Sequence, residues 1–460
     1  MSKLPHSPFK AYDIRGQVPT HLNTQRAFDI GRAYADVIQP SGPVAIGQDM
    51  RQSSDELARA LTQGLNQQGV DTVDIGLCGT ELVYHAASET GMGGGIMVTA
   101  SHNPADYNGM KMVREQAIPI SADTGLAEIE DLMVGGSIND ASPTPGSHTK
   151  ADVTDAYVER IRSMIDVDAL KPLKLVVNAG NGTAGPFFDR LAEGLPFEVI
   201  RLHHEPDGTF PNGVPNPLLP ENRSETAQAV INHQADFGVA WDGDFDRCFF
   251  FDHNGRFIEG YYLVGLFAAM LLARQPGEKI VLDPRLTWNT LDEVVRAGGT
   301  ALVNKSGHAF IKERMRQEGA IYGGEMSAHH YFKDFSYCDS GMIPWLLLAQ
   351  TIAQSGRTLA QLVDERIIAY PCSGELNFSV TDTGQVIDQV LQRYAQKHPQ
   401  IDRTDGISLE FERWRFNLRA SNTEPVIRLN IETRKDADLL ATKTKELSAF
   451  IESFGQGPDQ

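Results

Sequence analysis

Hydrophobic and polar positions alternate with two different periods along the first third of the chain. Apolar residues recur at helical spacing over 27–38, and short apolar runs follow at 44–47, 71–77 and 93–98. Helical patterns separate these runs, and the one that begins at Ser53 carries the Ser-x-x-Glu signature of a capping box. This strand–helix–strand order predicts a mostly parallel sheet covered by helices, with ligands at the carboxyl ends of its strands.

The same alternation returns twice, and then the pattern changes. Apolar runs at 174–179, 197–202 and 236–241 predict the strands of a second α/β unit, and a third unit begins near Gly260. The last part of the chain alternates as long strands, one of them over 409–420, before a final amphipathic helix. The predicted fold class is α/β, with three related α/β domains of mixed, mostly parallel sheets and a smaller C-terminal α+β domain. A Gly-, Ser- and Pro-rich stretch at 135–150 marks the first linker, and we place the domains at 1–145, 146–256, 257–369 and 370–460.

Composition narrows the class of partner. At 460 residues the chain needs several cores, and 41 Lys plus Arg against 60 Asp plus Glu give a net charge of −19. This acidity argues against nucleic acid or an anionic membrane surface as the main partner. The four cysteines form no CxxC pair, the N-terminal stretch lacks a signal-peptide core, and no apolar run could span a bilayer. We therefore expect a soluble, cytoplasmic protein with buried thiols and no structural zinc.

The loop TASHNP follows the strand predicted at 93–98. Its Asn-Pro pair stops that strand, so Ser101 lies on a sharp turn next to His102, and Lys111 in the following NGMK can approach the hydroxyl. A serine in this position can also cap a helix or close a turn. An imidazole and an ammonium beside it favour a nucleophilic or phosphate-bearing serine.

The motif DGDFDR supplies carboxylates at Asp242, Asp244 and Asp246 directly after an apolar strand. Two carboxylates about 4 Å apart repel by roughly 4 kcal/mol at an effective dielectric of 20, so a converging set needs a cation. An all-oxygen set with few ligands suits Mg²⁺, and the spacing does not fit the calcium loop of an EF-hand. The alternative is a solvated acidic turn, against which the preceding buried strand argues.

Two later motifs place polar groups at strand ends. In GEMSAHHYF, Glu325, Ser327 and His329 are alternate residues that can point into one cleft, where a carboxylate and a hydroxyl can bind the vicinal hydroxyls of a sugar. The alternative is an ordinary polar strand end with a satisfied histidine.

In RASNTEP, Arg419 ends a strand, and Ser421, Asn422 and Thr423 form a turn. Backbone N–H groups, hydroxyls and a guanidinium together suit a phosphate cradle, although serine and asparagine also make ordinary turns.

The four motifs TASHNP, DGDFDR, GEMSAHH and RASNTEP, in this order along nearly the whole chain, resemble the α-D-phosphohexomutase superfamily. Within it, the chain most resembles the bacterial phosphomannomutases. The resemblance implies that the four domains surround a central cleft and carry, in chain order, the phosphoserine, the metal, the sugar-recognition loop and the phosphate loop. It assigns the three aspartates and a phosphoserine oxygen at Ser101 to one Mg²⁺, and it places Arg247 beside the reacting phosphate. It gives the 3- and 4-hydroxyls of the sugar to the Glu325 loop and the non-reacting phosphate to the Arg419 loop.

Smaller features complete the candidate set. AYDIRG near the N-terminus offers Tyr12 and Arg15, which match a family segment that lines the site, and SGH offers His308. In DPRLTWNT the chain has Arg285 where related mutases with broad sugar specificity commonly carry a lysine. We assign Arg15 to catalysis, with Ser101 and its neighbours, and the other three residues to substrate binding.

The resemblance implies a mutase that interconverts mannose 6-phosphate and mannose 1-phosphate through a phosphoserine enzyme and a hexose 1,6-bisphosphate. Mg²⁺ would be the cofactor, the bisphosphate would be the activator, and the product would supply GDP-mannose synthesis. The partners would be small hexose phosphates, and the protein would be a monomer or a weak homodimer. A dual-specificity phosphomannomutase/phosphoglucomutase, a serine-nucleophile metal phosphohydrolase and a non-catalytic sugar-phosphate sensor are the alternatives. The hydrolase would usually need a second metal, and a sensor could lose Ser101 and the aspartates, which are all present.

Overall fold

The computed structural model describes residues 7–420 and 426–455. These residues form two compact units. The first unit contains the chain up to Ile258 together with His329–Leu359, and the second contains Glu259–Ala328 and the chain from Ala360 onward. Within the described residues, no helix is both long enough and apolar enough to cross a bilayer.

The N-terminal part of the first unit is a six-stranded sheet with helices on its faces. Its elements are β1 (Ile14–Gln17), α1 (Thr24–Ile38), β2 (Val44–Gln48), α2 (Ser54–Gln67), β3 (Thr72–Leu77), α3 (Thr80–Ser88), β4 (Gly94–Val98), β5 (Tyr107–Arg114), α4 (Leu126–Gly135) and β6 (His148–Lys150). The strand order is β1-β5-β4-β2-β3-β6, in which β4, β2, β3 and β6 pair in parallel and β5 pairs antiparallel with both β4 and β1. The predicted βαβαβ order is confirmed, and it brings the end of β4 to the edge where Ser101 lies.

One local prediction in this region is wrong and a second is correct except at its end. Ser53 precedes α2, but its hydroxyl accepts the Asn108 amide at 2.8 Å and bonds none of the N–H groups of the helix, so there is no capping box. The linker predicted at 135–150 contains no helix or strand over 136–147, but its last three residues form β6, which pairs with β3 at the edge of the sheet.

The second sheet carries the aspartate motif. Its elements are α5 (Thr154–Ser163), β7 (Leu173–Asn178), α6 (Ala184–Ala192), β8 (Phe197–Leu202), α7 (Ser224–His233), β9 (Phe237–Trp241), β10 (Cys248–Asp252) and β11 (Phe257–Ile258). The order is β11-β10-β9-β7-β8, in which β9, β7 and β8 are parallel. Because β10 returns antiparallel to β9, DGDFDR is the loop of a buried hairpin.

The third stretch of chain contributes to both units. Its elements are α8 (Gly260–Arg274), β12 (Lys279–Leu282), α9 (Trp288–Arg296), β13 (Thr300–Val303), α10 (His308–Glu318), β14 (Tyr322–Gly324), β15 (His330–Phe332), β16 (Cys338–Asp339), α11 (Met342–Ser355) and α12 (Leu359–Ala369). In the second unit β12 pairs in parallel with β13 and β14, and in the first unit β15 pairs antiparallel with β16.

The C-terminal region is an antiparallel sheet with helices, as predicted for a smaller α+β domain. Its elements are β17 (Cys372–Ser379), α13 (Thr383–Tyr394), β18 (Gln400–Asp402), β19 (Ile407–Glu410), β20 (Trp414–Ala420), β21 (Val426–Thr433) and α14 (Ala437–Glu452), in the strand order β17-β21-β20-β19-β18. The single strand predicted over 409–420 is wrong, because a hairpin separates β19 from β20. The Phe411 N–H donates to the Trp414 carbonyl at 2.9 Å, and the two rings stack 4.5 Å apart, so the hairpin closes without a glycine.

The cysteines largely follow the prediction of buried thiols. Cys78, Cys248 and Cys338 are buried, whereas Cys372 is half-buried at the start of β17.

Candidate active site

Ser101 lies on a strained turn three residues beyond the end of β4. Its φ of 50° lies in the left-handed region, which costs a non-glycine residue about 1–2 kcal/mol, and the residue is 3% exposed. The surrounding loop compensates, because the Arg51 guanidinium donates to the carbonyls of Ser101 and Asn103 at 2.9 and 2.6 Å. The Ser101 N–H donates to Thr99 Oγ1, and that hydroxyl donates to Asp49. Strain that is held by several buried contacts is typical of functional positions.

The Ser101 hydroxyl meets the aspartate loop directly. Its Oγ donates to Asp242 Oδ2 at 2.6 Å and lies 3.1 Å from His102 Nδ1. The two loops can approach this closely because Gly243 has no side chain. A Cβ at Gly243 would lie 2.6 Å from the Ser101 carbonyl oxygen.

The predicted convergence of Asp242, Asp244 and Asp246 is found. All three residues are fully buried, and one carboxylate oxygen from each lies within 4.8 Å of the other two. Lys111 Nζ contacts Asp244 at 2.6 Å and Asp246 at 2.5 Å, so Lys111 lies among the carboxylates as well as near the serine loop. Arg247 pairs with Asp242 at 2.8 Å.

The electrostatics of the aspartate cluster are those of crowded carboxylates. Burial and then the neighbouring Asp244 raise the pKa of Asp246 above its ordinary value. Burial would also raise the pKa of Asp244, but Lys111 and Arg15 lower it below the ordinary value. Burial would lower the pKa of Lys111, but Asp244 and Asp246 raise it. Lys111 and Arg247 therefore only partly compensate three buried carboxylates.

The donor set fits a divalent cation. Asp244 Oδ1 and Asp246 Oδ1 are buried, and within the described residues neither has a hydrogen-bond partner. Leaving such oxygens unpaired is costly unless a ligand takes them. Mg²⁺ prefers a few carboxylate oxygens at one site and completes its shell with water or phosphate oxygens. Asp242, Asp244 and Asp246 are thus the residues that could hold Mg²⁺, with the Ser101 oxygen adjacent.

Cationic and imidazole groups surround the serine and the aspartates. Burial and then the Arg247 charge lower the pKa of His102 well below its ordinary value, so its imidazole is neutral at pH 7. Arg15 donates from Nε to Asp13 at 2.8 Å and from Nη1 to the Thr99 carbonyl at 3.0 Å. Tyr12, three residues before Arg15 in the chain, is half-buried.

His329 belongs to the first unit, whereas the other two residues of its motif, Glu325 and Ser327, belong to the second. His329 Nδ1 lies 2.9 Å from Asp339 Oδ2 and 4.0 Å from Asp246 Oδ1. The three residues of the motif are therefore divided between the two units.

In the second unit, Arg285 joins the sugar-motif residues. Its guanidinium donates to Asp283 through two nitrogens at 2.9 and 3.0 Å, to Ser327 Oγ at 3.1 Å and to Glu325 at 3.4 Å. Glu325 Oε1 also accepts the Gly307 N–H at 2.9 Å, next to His308, the buried first residue of α10. Arg285 and the motif residues Glu325 and Ser327 therefore form one hydrogen-bonded group.

Arg419 lies at the end of β20 and is 7% exposed. Its Nη2 donates to Glu375 at 3.2 Å, and its Nε is buried without a hydrogen-bond partner in the described chain. Ser421, Asn422 and Thr423, which were predicted to complete a phosphate loop with Arg419, lie outside the described residues.

Sequence reasoning missed several residues that hold these groups in place. Thr80 begins α3 and donates to Asp244 at 2.5 Å, Arg51 braces the serine loop, and Glu375 contacts Arg419. Arg51 lies four residues beyond the strand predicted at 44–47, and Thr80 lies three residues beyond the strand predicted at 71–77. This position near a strand end was the signal that could have pointed to them.

Sequence profiles of the phosphoglucomutase/phosphomannomutase family match four consecutive segments of the chain. They are α/β/α domains I, II and III and the C-terminal domain, over 6–137, 155–255, 259–370 and 375–448.

Individual proteins match over the whole length. A Xanthomonas campestris protein named "Phosphohexose mutases" is 60% identical over 443 residues, which are 96% of this chain and 98% of that protein. An Escherichia coli K12 phosphomannomutase is 54% identical over 449 residues, with the same coverage of 96% and 98%. The crystal structure of a phosphoglucomutase/phosphomannomutase family protein from Burkholderia thailandensis is similar with a TM-score of 0.87 at 34% identity, covering 99% of both chains. The chain therefore belongs to the phosphoglucomutase/phosphomannomutase family and is a mutase, an isomerase that works by phosphoryl transfer.

Proposed function

We propose that the protein is a phosphomannomutase, which interconverts mannose 6-phosphate and mannose 1-phosphate through phosphorylated Ser101 and a hexose 1,6-bisphosphate. The observation that carries the proposal is the 2.6 Å hydrogen bond from Ser101 Oγ to Asp242, because it joins a nucleophile-type hydroxyl to a buried metal-type cluster. Support for the sugar comes from relatives in Salmonella typhimurium and Escherichia coli, which are named phosphomannomutases and are each 54% identical.

In the proposed reaction, phosphorylated Ser101 is the phosphoryl donor. The bond between its Oγ and phosphorus breaks while the free hydroxyl of the sugar phosphate forms a new bond to phosphorus, and the proton of that hydroxyl passes to the released Oγ, which gives the bisphosphate and free serine. The bisphosphate then reorients and transfers its other phosphoryl group to Ser101 Oγ, and the serine proton passes to the sugar oxygen that is released. Arg247, Arg15 and Lys111 supply positive charge around the serine loop, and neutral His102 accepts a hydrogen bond from Arg247 at the Nδ1 that faces the serine.

Asp242, Asp244 and Asp246 would hold Mg²⁺ together with an oxygen of the phosphoserine. The ion would supply charge that offsets the negative charge on the transferring phosphoryl group. Lys111 favours the ionised form of Asp244, whose pKa it lowers, and its ammonium lies 2.6 Å from Asp244 and 2.5 Å from Asp246.

The remaining residues bind the substrate in the proposed assignment. Glu325 and Ser327 bind the sugar hydroxyls, and Arg419 with Ser421–Thr423 holds the phosphate that is not reacting. Tyr12, Arg285, His308 and His329 complete the set of substrate-binding residues.

A dual-specificity phosphomannomutase/phosphoglucomutase is the second candidate. The observation that favours it is the broader name, "Phosphohexose mutases", of the 60% identical Xanthomonas campestris relative. Mannose and glucose phosphates differ in the configuration of one hydroxyl, so we expect activity on both with mannose preferred. We further propose a cytoplasmic monomer or weak homodimer, activated by the bisphosphate, whose product supplies GDP-mannose synthesis.

The test is a parallel assay of mannose 1-phosphate and glucose 1-phosphate, with Mg²⁺ and a trace of hexose 1,6-bisphosphate. Phosphorus NMR of the reaction would follow every product. A higher kcat/KM for mannose 1-phosphate is the expected result, and equal values would establish dual specificity. Release of inorganic phosphate would identify a phosphohydrolase, and binding without turnover would identify a sensor.

A further inference from the structure

Glu375 on β17 is surrounded by three guanidinium groups of the second unit. Its Oε2 lies 3.2 Å from Arg419 Nη2 and 3.5 Å from Arg285 Nη1, and its Oε1 lies 3.4 Å from Arg428 Nη1. The carboxylate of Glu375 is therefore shared by three arginines. They are Arg419 of the predicted phosphate loop, Arg285, which contacts the motif residues Glu325 and Ser327, and Arg428.

The register of the C-terminal sheet explains why these charges meet. Arg419 on β20 is directly opposite Arg428 on β21, and Glu375 on β17 is opposite Asn430, two residues further along β21. Residues two apart on a strand point to the same face, so Glu375 lies on the face that carries both arginines. Two like charges directly opposite each other destabilise a sheet unless a counter-charge is present, and Glu375 provides it.

The contacts of Glu375 are long compared with those of the neighbouring ion pair. Arg285 is held by Asp283 through two hydrogen bonds at 2.9 and 3.0 Å, whereas its contact with Glu375 is 3.5 Å. Arg419 has a single 3.2 Å hydrogen bond to Glu375, and its buried Nε has no partner in the described chain. Arg419 therefore retains donor capacity for an anion, while its only ion-pair contact among the described residues is easily replaced.

Glu375 is ionised in this surrounding. Burial would raise its pKa, but the three guanidiniums lower it below the ordinary value. The cluster thus already contains an anion of its own before any substrate binds.

We propose that Glu375 is a built-in counter-ion of the phosphate-binding site, which balances the arginines in the free enzyme and competes with the substrate's phosphate for Arg419. This inference rests on the proposed function, in which Arg419 holds the non-reacting phosphate. A bisphosphate intermediate must detach and turn over before its second transfer, so its phosphate must not be held too tightly. By competing for the guanidinium, Glu375 weakens phosphate binding and makes that release faster.

The test compares the full-length enzyme with Glu375→Gln, which keeps the shape of the side chain and removes its charge. Inorganic phosphate is the probe, and its inhibition constant is measured against the mutase reaction and its dissociation constant by calorimetry. We expect phosphate to bind Glu375→Gln about tenfold more tightly, since the competing charge is gone. KM for the hexose phosphate and kcat should both fall, because substrate and bisphosphate are then held longer.

Three further variants make the comparison specific. Glu375→Asp retains the charge, so its phosphate affinity should stay within about threefold of wild type. Glu410→Gln is the matched control, because Glu410 lies on β19 of the same sheet and pairs with Arg415 and Arg434 instead. In the double variant Glu375→Gln/Arg419→Ala the gain in phosphate affinity should disappear, since the two residues act on one anion.

Unchanged or weaker phosphate binding in Glu375→Gln would overturn the proposal and leave Glu375 as a residue that only orients the arginines. A fall in kcat with raised KM would do the same. Failure of the proposed function is a separate outcome. It would appear as a wild-type enzyme without mutase activity, while the calorimetric titration with inorganic phosphate would still report the effect of Glu375.

Discussion

Two regions of the molecule concentrate buried charge, and they are built in opposite ways. In the first unit three carboxylates, Asp242, Asp244 and Asp246, share the cations Lys111 and Arg247. In the second unit three guanidiniums share the carboxylate of Glu375. A phosphate approaching the first region meets carboxylates and needs a metal ion to be accepted, whereas the second region can accept it directly. The comparison predicts that only the first region depends on a metal ion. Loss of that ion should slow the chemical step more than it weakens binding of the hexose phosphate.

The largest expected effect comes from disabling the carboxylate region. Asp244→Asn, or removal of divalent metal with a chelator, should lower kcat by about a hundred- to a thousandfold, because charge on the transferring phosphoryl group is no longer offset. Binding of a hexose phosphate, measured by calorimetry, should change much less, since the arginines of the second unit are intact. Asp252→Asn is the matched control, because Asp252 is equally buried in the first unit but pairs with Arg256. Full activity of the chelated enzyme would contradict a metal role for the aspartates.

A smaller effect is expected from the guanidinium region. Arg419→Ala removes a charge-assisted contact, worth about 1.5–3 kcal/mol, and should raise KM by roughly ten- to a hundredfold in both directions of the reaction. The bisphosphate should also escape more often, so the variant should depend more strongly on added hexose 1,6-bisphosphate. Arg413→Ala is the control, because Arg413 is an exposed residue beside the same sheet that pairs with Asp436. Unchanged KM and unchanged activator dependence would remove Arg419 from the phosphate site.

The smallest effect is expected from a change of Glu325, in the hydrogen-bonded group that it forms with Arg285 and Ser327. Glu325→Ala should raise KM by about tenfold for mannose and glucose phosphates alike, because a ring contact is lost while Arg419 remains. Glu318→Ala, at the end of α10, is the control, since Glu318 pairs with Lys279 away from the group. Normal kinetics of Glu325→Ala would identify the GEMS loop as structural.

The carboxylate region could be predicted from the sequence more fully than the guanidinium region. Ser101 and Asp242 each lie in a loop that follows a strand, where ligands gather in α/β sheets, so each loop could be marked as a candidate by itself. The two strands belong to different sheets, so the 2.6 Å contact between the loops could be expected only from the resemblance to the superfamily. Thr80 and Arg51 also lie three residues beyond strand ends, but neither belongs to one of the four motifs.

Glu375 could not be found in the same way. It lies in the interior of an antiparallel strand, 44 residues from Arg419, and only the register of three strands brings the two residues together. Register in such a sheet depends on hairpins, and the hairpin between β19 and β20 itself lacks the Gly or Asn that marks most tight turns. His329 shows the same limit, because alternation along GEMSAHH does not reveal that the chain passes from one unit to the other at this point.

The most direct measurement is the fate of a phosphate carried by the enzyme. Wild-type protein and Ser101→Ala would each be incubated with phosphorus-32-labelled hexose 1,6-bisphosphate, freed of small molecules and mixed with excess unlabelled mannose 1-phosphate and Mg²⁺. Wild type should carry the label on Ser101 and transfer it within one turnover to the bisphosphate and then to mannose phosphate, while Ser101→Ala should take up no label. Label on another residue, or its release as inorganic phosphate instead of transfer to the sugar, would contradict Ser101 as the phosphoryl carrier of a mutase.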